Sequence, residues 1–283
     1  MKSCLVFSVD HNYLENFLVS VDGIFKFSDI LKIPPVFVVH DDTIGCAEME
    51  LIKNYFSTKK FSNYNFVSDV IFPTSILKIS DGDHLTKSTY YRLFIELFIP
   101  MDYDSVIYLD TDILIINSID VLLTFCPVKP IAAVSHYSVA ESLRLFHTNS
   151  LEYFQAGVLV INYKEWLKYN VLVRSRHILQ NENSRILFWD QDILNIIFAQ
   201  NWEILDNSYN VHNGILNELG MPENIVIIHF DGTNKPWKKF SNRYGKKLWQ
   251  IYYKDLFNRK HKYDNWYFNF ISRLIHFIQK FFR

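Results

Sequence analysis

The sequence predicts an α/β fold in which a mostly parallel central sheet is flanked by helices. Two observations support this fold class. Short apolar runs alternate along the chain with helical segments of roughly 10–15 residues, which is typical of β-α-β units. Several of these runs end directly in carboxylates, as in CLVFSVD at 4–10, and the ligands of such sheets bind beyond the carboxyl ends of the strands.

The first half of the chain supplies four predicted strands and three predicted helices. Continuous apolar runs indicate strands that are buried on both faces, and amphipathic spacing indicates the helices between them. The strands are 4–9, 35–42, 64–69 and 105–112, and the helices are 13–27, 47–56 and 86–99. Pro100 ends the third helix, because proline cannot continue a helical hydrogen-bond pattern.

The second half continues the alternation. The predicted strands are 130–135, 157–163 and 224–230, and the predicted helices are 164–180 and 190–200. We expect Asp190 to be the N-cap of the last of these helices. No internal repeat or low-complexity linker divides the chain, so we expect one domain at 1–250 followed by a tail at 251–283.

Composition excludes several classes of protein. The 283 residues are 49% hydrophobic with a formal net charge of −1, which fits a globular protein and argues against bulk nucleic-acid binding. The three cysteines are widely spaced, as expected of reduced thiols in a cytoplasmic protein. The amino-terminal apolar run is too short for a signal peptide, and no run approaches the ~20 residues that cross a bilayer.

The tail is rich in aromatic and basic residues. Its last segment, NWYFNFISRLIHFIQKFFR at 265–283, places apolar residues at helical spacing beside Arg273, Lys280 and Arg283. One interpretation is a helix that lies in the plane of a membrane, held by apolar burial and anionic headgroups. The alternative is a helix docked on its own domain. The wide apolar face favours membrane contact, at the cytoplasmic side of the inner membrane.

The segment VIYLDTD at 106–112 ends a predicted strand with two aspartates. In an extended chain, residues two apart point to the same side, so Asp110 and Asp112 can reach one divalent cation. Carboxylate oxygens favour Mg²⁺ or Mn²⁺. The alternative is a turn in which Asp110 caps a following helix.

This segment is part of one of six motifs that follow one another along the chain. They are VFSVDHNY (6–13), STYYRL (88–93), VIYLDTDILI (106–115), YFQAGVLVINYKEW (153–166), WDQDILN (189–195) and HFDGTNKPW (229–237). Over roughly residues 4–240 the chain resembles the retaining glycosyltransferases of family 8, above all the bacterial lipooligosaccharide and lipopolysaccharide α-galactosyl- and glucosyltransferases. The resemblance implies a GT-A fold, a UDP-sugar donor and Mn²⁺, with Mg²⁺ as the other possible metal.

The resemblance also implies roles for individual residues at the nucleotide and the metal. Ser8, Asp10, Asn12 and Tyr13 match the site of the uracil and the ribose, where Tyr13 can stack on the base. Arg92 matches a basic residue that reaches the phosphates or the sugar. Asp110, Asp112 and His229 match the metal ligands, and Thr111 lies between the two aspartates. Gly232 and Lys235 match a loop that covers the diphosphate.

Two further motifs match the donor hexose. Gln155, Ala156 and Gly157 correspond to the segment that lines the sugar, where an asparagine is expected at the position of Gln155, so the preferred sugar stays open. Asp190 and Gln191 correspond to the active-site helix. We expect the metal and Lys235 to assist the departure of UDP, while Asp190 and Gln191 stabilise the cationic sugar in a front-face substitution. Asp192 is expected to order the helix or the neighbouring loop, with contact to the reacting sugar as the alternative.

We therefore expect a peripheral membrane enzyme of the cytoplasm that moves galactose or glucose from a UDP-sugar to a glycan or glycolipid acceptor. Lipooligosaccharide, lipopolysaccharide or a capsule precursor would be the acceptor, and the product would carry an α-linkage. One alternative is a protein O-glycosyltransferase that extends glycans on a surface protein. Another is a protein that binds a UDP-sugar without turnover.

Overall fold

A computed structural model of the chain describes residues 1–72, 87–136, 139–146, 153–181, 186–212, 224–233, 235–238, 241 and 245–261. Within those residues, no helix is both long enough and apolar enough to span a bilayer. The predicted membrane helix at 265–283 lies outside the described residues.

The centre of the fold is a seven-stranded sheet with the strand order β3-β2-β1-β4-β7-β6-β8. Its strands are β1 (Ser3–Val9), β2 (Val36–His40), β3 (Tyr64–Ser68), β4 (Ser105–Leu109), β6 (Ile131–Ser135), β7 (Phe154–Asn162) and β8 (Glu203–Ile204). The predicted strands 4–9, 35–42, 64–69, 105–112, 130–135 and 157–163 are all present in this sheet. Four of the six strand pairings are parallel, which confirms the expected mostly parallel sheet.

A second, three-stranded sheet has the order β5-β10-β9. Its strands are β5 (Ile113–Ile115), β9 (Val211–His212) and β10 (Ile227–His229). β10 is antiparallel to β5, with His229 opposite Ile113. The last residue of β10 therefore lies beside the segment that joins β4 to β5.

The predicted helices at 13–27, 47–56 and 190–200 are present with adjusted limits, and three helices that were not predicted join them: Asp120–Thr124, Val139–Phe146 and Lys246–Phe257. Apart from 3-10 helices, the helices of the described residues are α1 (Leu14–Phe27), α2 (Cys46–Thr58), α3 (Asp120–Thr124), α4 (Val139–Phe146), α5 (Tyr163–Lys168), α6 (Val171–Asn181), α7 (Trp189–Ile197) and α8 (Lys246–Phe257). The predicted helix at 86–99 is a 3-10 helix, Lys87–Leu97, with a kink at Phe94. The predicted helix at 164–180 is divided between α5 and α6, because Asn170 has a left-handed backbone with φ of 48°.

Helices cover both faces of the central sheet. One core layer contains Val6 and Tyr108 and packs against the 3-10 helix Lys87–Leu97, α6 and α7. The other contains Phe7 and Leu109 and packs against α1 and α2. Neighbouring residues of one strand thus face opposite layers, and both sides are apolar. This double burial is the physical reason for the continuous apolar runs in the sequence.

β7 runs against its neighbours and brings its beginning to the functional edge of the sheet. It is antiparallel to both β4 and β6. Val158 is paired with Leu109, and the amide of Asp110 donates to the carbonyl of Gly157 at 2.9 Å. The amino end of β7 therefore lies next to the carboxyl end of β4, so Gln155–Gly157 lie beside the two aspartates.

Candidate active site

A cavity of about 400 Å³ opens at the carboxyl edge of the central sheet. Fourteen of the sixteen residues predicted for the site line it: Ser8, Tyr13, Arg92, Asp110, Thr111, Asp112, Gln155, Ala156, Gly157, Asp190, Gln191, His229, Gly232 and Lys235. Asp10 and Asn12 do not line this cavity. The Asp10 side chain accepts from the amide of Tyr13 at 3.1 Å, and Asn12 is exposed.

The two aspartates of the DTD motif lie in a turn and not in an extended strand. β4 ends at Leu109, and β5 begins at Ile113. The prediction that the two side chains point to the same side of an extended strand is therefore wrong about the backbone, although the side chains do lie close together. The alternative, in which Asp110 caps a helix, is also wrong, because β5 follows the turn. The turn brings Asp110 Oδ2 to 3.6 Å and Asp112 Oδ1 to 3.2 Å from His229 Nε2.

Asp110, Asp112 and His229 form a donor set that fits a divalent cation. Each offers one ligand atom, and these atoms lie within 4.8 Å of one another. Gly157 leaves the space that this arrangement needs. A Cβ atom there would come within 2.2 Å of His229 Cε1 and 2.9 Å of Asp110 Oδ2. Two carboxylates and one imidazole suit Mn²⁺ or Mg²⁺, and both metals tolerate further oxygen ligands.

Asn210 fixes the orientation of the His229 ring. Its Oδ1 atom lies 2.9 Å from His229 Nδ1, and Asn210 is 1% exposed. Because an amide oxygen only accepts, Nδ1 carries the hydrogen and donates it. The Nε2 atom then faces Asp110 and Asp112 as a potential ligand. This contact is typical of histidines that bind metals, which usually donate their other ring nitrogen to a nearby acceptor.

Arg92 joins the two halves of the site. Its Nη2 lies 2.6 Å from Asp110 Oδ1, and its Nε lies 2.8 Å from Asp190 Oδ2. Its guanidinium also lies over the ring of Tyr108, 4.3 Å from the centroid. Burial opposes the charge of Arg92, but the two carboxylates outweigh burial and raise its pKa. Arg92 is thus a fixed cation between the aspartates at the metal position and α7.

Lys235 is the second buried cation of the site. Its ammonium group forms an ion pair with Asp112 Oδ2 and donates to the carbonyl of Phe230 at 2.7 Å. It also lies 5.9 Å from the ring centroid of Tyr13. Burial works against ionisation of Asp112, but Lys235 and His229 lower its pKa well below the ordinary value. Asp112 is therefore an anion with two cationic or hydrogen-bonding neighbours.

The end of the cavity that Tyr13 lines is aromatic. Tyr13 meets Trp237 edge to face at a centroid distance of 5.8 Å, and Trp237 contacts Trp249 of α8 at 5.4 Å. Gly232 has φ of 70°, a left-handed conformation that glycine adopts without strain. The loop that carries Gly232 and Lys235 is thus fastened to α8 through tryptophan packing while its backbone lines the cavity.

Asp190 is not the N-cap of α7, which corrects the prediction. Phe188 precedes the helix as its cap residue, and Trp189 begins it with φ of 44°. The backbone amides of Leu187 and Phe188 instead donate to Asp192 Oδ2 at 2.7 and 2.8 Å, so Asp192 orders this loop, as expected. Asp190 faces Arg92, and burial raises the pKa of Asp190 to about 7 although Arg92 opposes the shift.

Gln155 and Gln191 lie side by side in the cavity wall. Gln155 Nε2 lies 3.3 Å from His136 Nδ1, and its Oε1 is buried with no hydrogen-bond partner among the described residues. Gln191 Oε1 accepts from the amide of Ala156 at 3.0 Å. Among the described residues, the Gln155 oxygen is thus buried without a partner, whereas the Gln191 oxygen is held by the backbone of β7.

The sequence analysis missed seven residues that line the cavity: Ser88, Thr89, Tyr108, His136, Phe188, Trp189 and Asp231. His136 follows β6 directly, at the same edge as Asp110, so the strand-end rule that found the aspartates could have found it. Asn210 lies behind the cavity in no recognisable motif. No signal along the chain links it to His229, which is 19 residues away.

Comparison with known proteins identifies relatives of the chain. The sequence model of the family described as Glycosyl transferase family 8 matches residues 4–241 of the chain. The General stress protein A of Bacillus subtilis is 28% identical over 211 residues, which cover 68% of this chain and 67% of that protein. A lipopolysaccharide 1,2-glucosyltransferase of Escherichia coli is 31% identical over 174 residues, 55% of this chain and 51% of the relative. The chain thus spans only about half the length of that second relative.

The fold has a counterpart among solved structures. The galactosyltransferase LgtC, crystallised with donor and acceptor sugar analogues, superimposes with a TM-score of 0.78 at 20% sequence identity. The superposition covers 89% of this chain and 96% of LgtC. At this identity the likeness establishes the fold, and the expected mixed α/β architecture of the GT-A type is confirmed.

Proposed function

The chain belongs to glycosyl transferase family 8, and from this membership we propose that it transfers galactose or glucose from a UDP-sugar to a glycan acceptor. Lipooligosaccharide, lipopolysaccharide or capsule supplies that acceptor, and the product carries an α-linkage. The observation that carries the proposal is the cluster of Asp110, Asp112 and His229 in the wall of a cavity of about 400 Å³. This volume is within the usual range of small-ligand sites. The lipopolysaccharide glucosyltransferase among the relatives supports the acceptor class.

The three clustered side chains would hold Mn²⁺, or Mg²⁺, and such a cation would neutralise the diphosphate and assist the departure of UDP. Asn210 holds His229 in the tautomer that this role requires. Lys235 exchanges Asp112 for a diphosphate oxygen when the donor binds, because the diphosphate of a UDP-sugar carries one negative charge on each of its two phosphoryl groups. The left-handed backbone of Gly232 lets its loop approach the phosphates closely.

The nucleotide occupies the end of the cavity that Ser8 and Tyr13 line. Tyr13 stacks on the uracil, while Trp237 supports the tyrosine from its edge. Asp10 acts behind the cavity, where its side chain accepts from the amide of Tyr13 at 3.1 Å and orients the residue that carries this ring. No contact with the nucleotide is proposed for Asn12, which lies outside the cavity. Thr111 lines the cavity between the metal and the base.

The sugar occupies the wall between β7 and α7. Arg92 aligns Asp190 by a 2.8 Å ion pair and leaves the carboxylate facing the cavity, where it accepts from sugar hydroxyls. Gln155 lines the same wall and contacts the sugar from the side of β7. Ala156 and Gly157 allow the sugar to approach the strand, since neither has a side chain larger than a methyl group.

Transfer proceeds at the front face of the sugar. The bond between C1 and the phosphate oxygen breaks, and the acceptor hydroxyl forms its bond to C1 from the same side. The hydroxyl proton passes to the departing phosphate oxygen. Gln191 and Asp190 stabilise the positive charge that develops at C1. The side chain of Gln191 is a poor nucleophile, so no covalent sugar–enzyme intermediate is proposed.

Replacement of Asp112 tests the metal site. We expect Asp112→Ala to lower Mn²⁺-dependent UDP release about a thousandfold, because the cation contributes several kcal/mol to the departure of UDP. The exposed Asp42, which follows β2 at the same edge, supplies the matched control Asp42→Asn, with an unchanged rate. Near-normal UDP release by Asp112→Ala would contradict the metal assignment.

A screen of donors tests the reaction itself. UDP release is measured with Mn²⁺ from UDP-glucose, UDP-galactose, UDP-N-acetylglucosamine and UDP-N-acetylgalactosamine, with lipooligosaccharide core as the acceptor. We expect release from UDP-glucose or UDP-galactose. Binding of a UDP-sugar without release from any donor would instead favour a binding protein without turnover.

A further inference from the structure

The amide of Gln191 is held at both of its ends. Its Oε1 accepts from the backbone amide of Ala156 at 3.0 Å, and its Nε2 donates to the hydroxyl of Tyr153 at 3.0 Å. Gln191 and Ala156 line the cavity, whereas Tyr153 lies behind it and is fully buried. The orientation of a side chain in the cavity wall is thus connected to a residue that no ligand of the cavity reaches.

The direction of each hydrogen bond in this network follows from chemistry. The Tyr153 hydroxyl lies 2.7 Å from Asp192 Oδ1. A carboxylate only accepts, so Tyr153 must donate its single hydrogen to Asp192. The tyrosine oxygen can then only accept from Gln191, which places the amino group of the Gln191 amide toward Tyr153. The backbone N–H of Ala156 independently requires the carbonyl oxygen at the other end.

Asp192 cannot exchange these roles, because its other contacts also donate to it. Arg144 Nη2 lies 2.8 Å from the same Oδ1 atom, and the amides of Leu187 and Phe188 donate to Oδ2. Asp192 has no exposed surface. The buried Asp192 carboxylate therefore only accepts hydrogen bonds. This fixes the direction of the bond from Tyr153 to Asp192 and, through it, of the bond from Gln191 to Tyr153.

On the basis of the proposed function, we infer that Tyr153 is a positioning residue that turns the carbonyl oxygen of Gln191, and not its amino group, toward the donor sugar. An amide oxygen has two lone pairs, and Ala156 uses only one of them. The second provides partial negative charge beside the cationic C1 atom. The reversed amide would present N–H groups there and would repel the developing charge.

The state of Tyr153 supports this role. Burial, together with the Asp192 carboxylate, raises the pKa of the Tyr153 hydroxyl far above its ordinary range. The hydroxyl therefore keeps its hydrogen at neutral pH and donates it to Asp192.

A double-mutant cycle tests the inference. We expect Tyr153→Phe to lower kcat about tenfold, the scale of one lost hydrogen bond, with unchanged affinity for UDP. In a Gln191→Ala background, the same change should lower kcat less than about twofold, because its target is gone. Tyr163→Phe is the control, since Tyr163 is also fully buried and donates to the carbonyl of Ile99 at 2.8 Å, outside the cavity. Its kcat should equal that of the wild type.

An equal loss of kcat from Tyr153→Phe in both backgrounds would overturn the inference. A wild-type protein that releases UDP from no donor would overturn the proposed function instead, and a second measurement then decides the inference. Hydrogen exchange of the Gln191 side-chain amide, identified by its absence from spectra of Gln191→Ala, should accelerate at least about tenfold in Tyr153→Phe. It should not change in Tyr163→Phe. Unchanged exchange in Tyr153→Phe would refute the role of Tyr153.

Discussion

Asn210 decides which nitrogen of His229 faces the two aspartates, although it is uncharged and belongs to no motif. The distance of 2.9 Å between Asn210 Oδ1 and His229 Nδ1 leaves Nε2 as the nitrogen that faces Asp110 and Asp112. Without this contact the ring can rotate or adopt the other tautomer. The affinity of a metal at this place would therefore depend on Asn210, which would not touch the metal but would hold its histidine ligand in position.

We expect Asn210→Ala to weaken Mn²⁺ binding roughly 10- to 100-fold, measured by titration calorimetry in the absence of donor. Asn210→Asp retains an acceptor oxygen for His229 Nδ1, so its affinity should stay near that of the wild type. The control is Asn207→Ala, because Asn207 is exposed in the adjacent 3-10 helix, Asn207–Tyr209. Wild-type affinity in Asn210→Ala would show that His229 needs no such partner.

At the scale of elements, the antiparallel direction of β7 assembles the site. β7 begins at the edge where β4 ends, and Gly157 faces His229 and Asp110 there. A side chain on this residue would occupy the space between the two ligands. The strand thus contributes Gln155 to the cavity wall and also the gap in which Asp110 and His229 approach each other.

Gly157→Ala should reduce Mn²⁺ affinity at least about 100-fold, because the new Cβ would lie 2.2 Å from His229 Cε1 and would displace the ring. Gly45→Ala is the matched control. A Cβ on Gly45 meets only the flexible carboxylate of Glu48, at 3.3 Å, so metal binding should not change. Circular dichroism checks that both variants are folded. A folded Gly157→Ala protein with normal affinity would contradict the close approach of these groups.

At the scale of the whole molecule, α8 connects the site to the carboxyl-terminal part of the chain. Trp249 of α8 contacts Trp237, which contacts Tyr13 in the cavity wall. Tyr253 of the same helix donates to Glu15 of α1 at 2.8 Å. α8 is therefore part of the packed domain, which extends a little beyond the predicted limit at residue 250. The predicted membrane segment at 265–283 begins after it.

Removal of residues 265–283 should release the protein from anionic vesicles while it spares hydrolysis of a UDP-sugar, because α8 and the cavity stay intact. Sedimentation with phosphatidylglycerol vesicles measures the first effect, and UDP release measures the second. A full-length variant with Arg273, Lys280 and Arg283 replaced by glutamine separates charge from apolar burial, and its binding should weaken and lose its dependence on salt. Unchanged vesicle binding after truncation would argue against the membrane role of the tail.

Most of the secondary structure could be predicted from the sequence, because strands that are buried on both faces of a sheet appear in the sequence as continuous apolar runs. β1, β2 and β4 have apolar residues on both sides, and their ends are marked by Asp10, Asp41 and Asp110. The subdivision of the helix at 164–180 was not predictable, because Asn170 adopts a left-handed backbone only in the context of its neighbours.

The sequence by itself determined the fold class, the family and most of the residues that line the cavity, since ordered motifs and strand ends are properties of the chain. Only the tertiary structure decided the direction of β7, the turn that carries Asp112, the bridge made by Arg92, and the contacts of Asn210 and Tyr153. These features depend on distances between residues that are far apart in sequence. Hydrogen bonds and ion pairs act over about 3 Å of space, and spacing along a chain does not record which distant groups are brought that close.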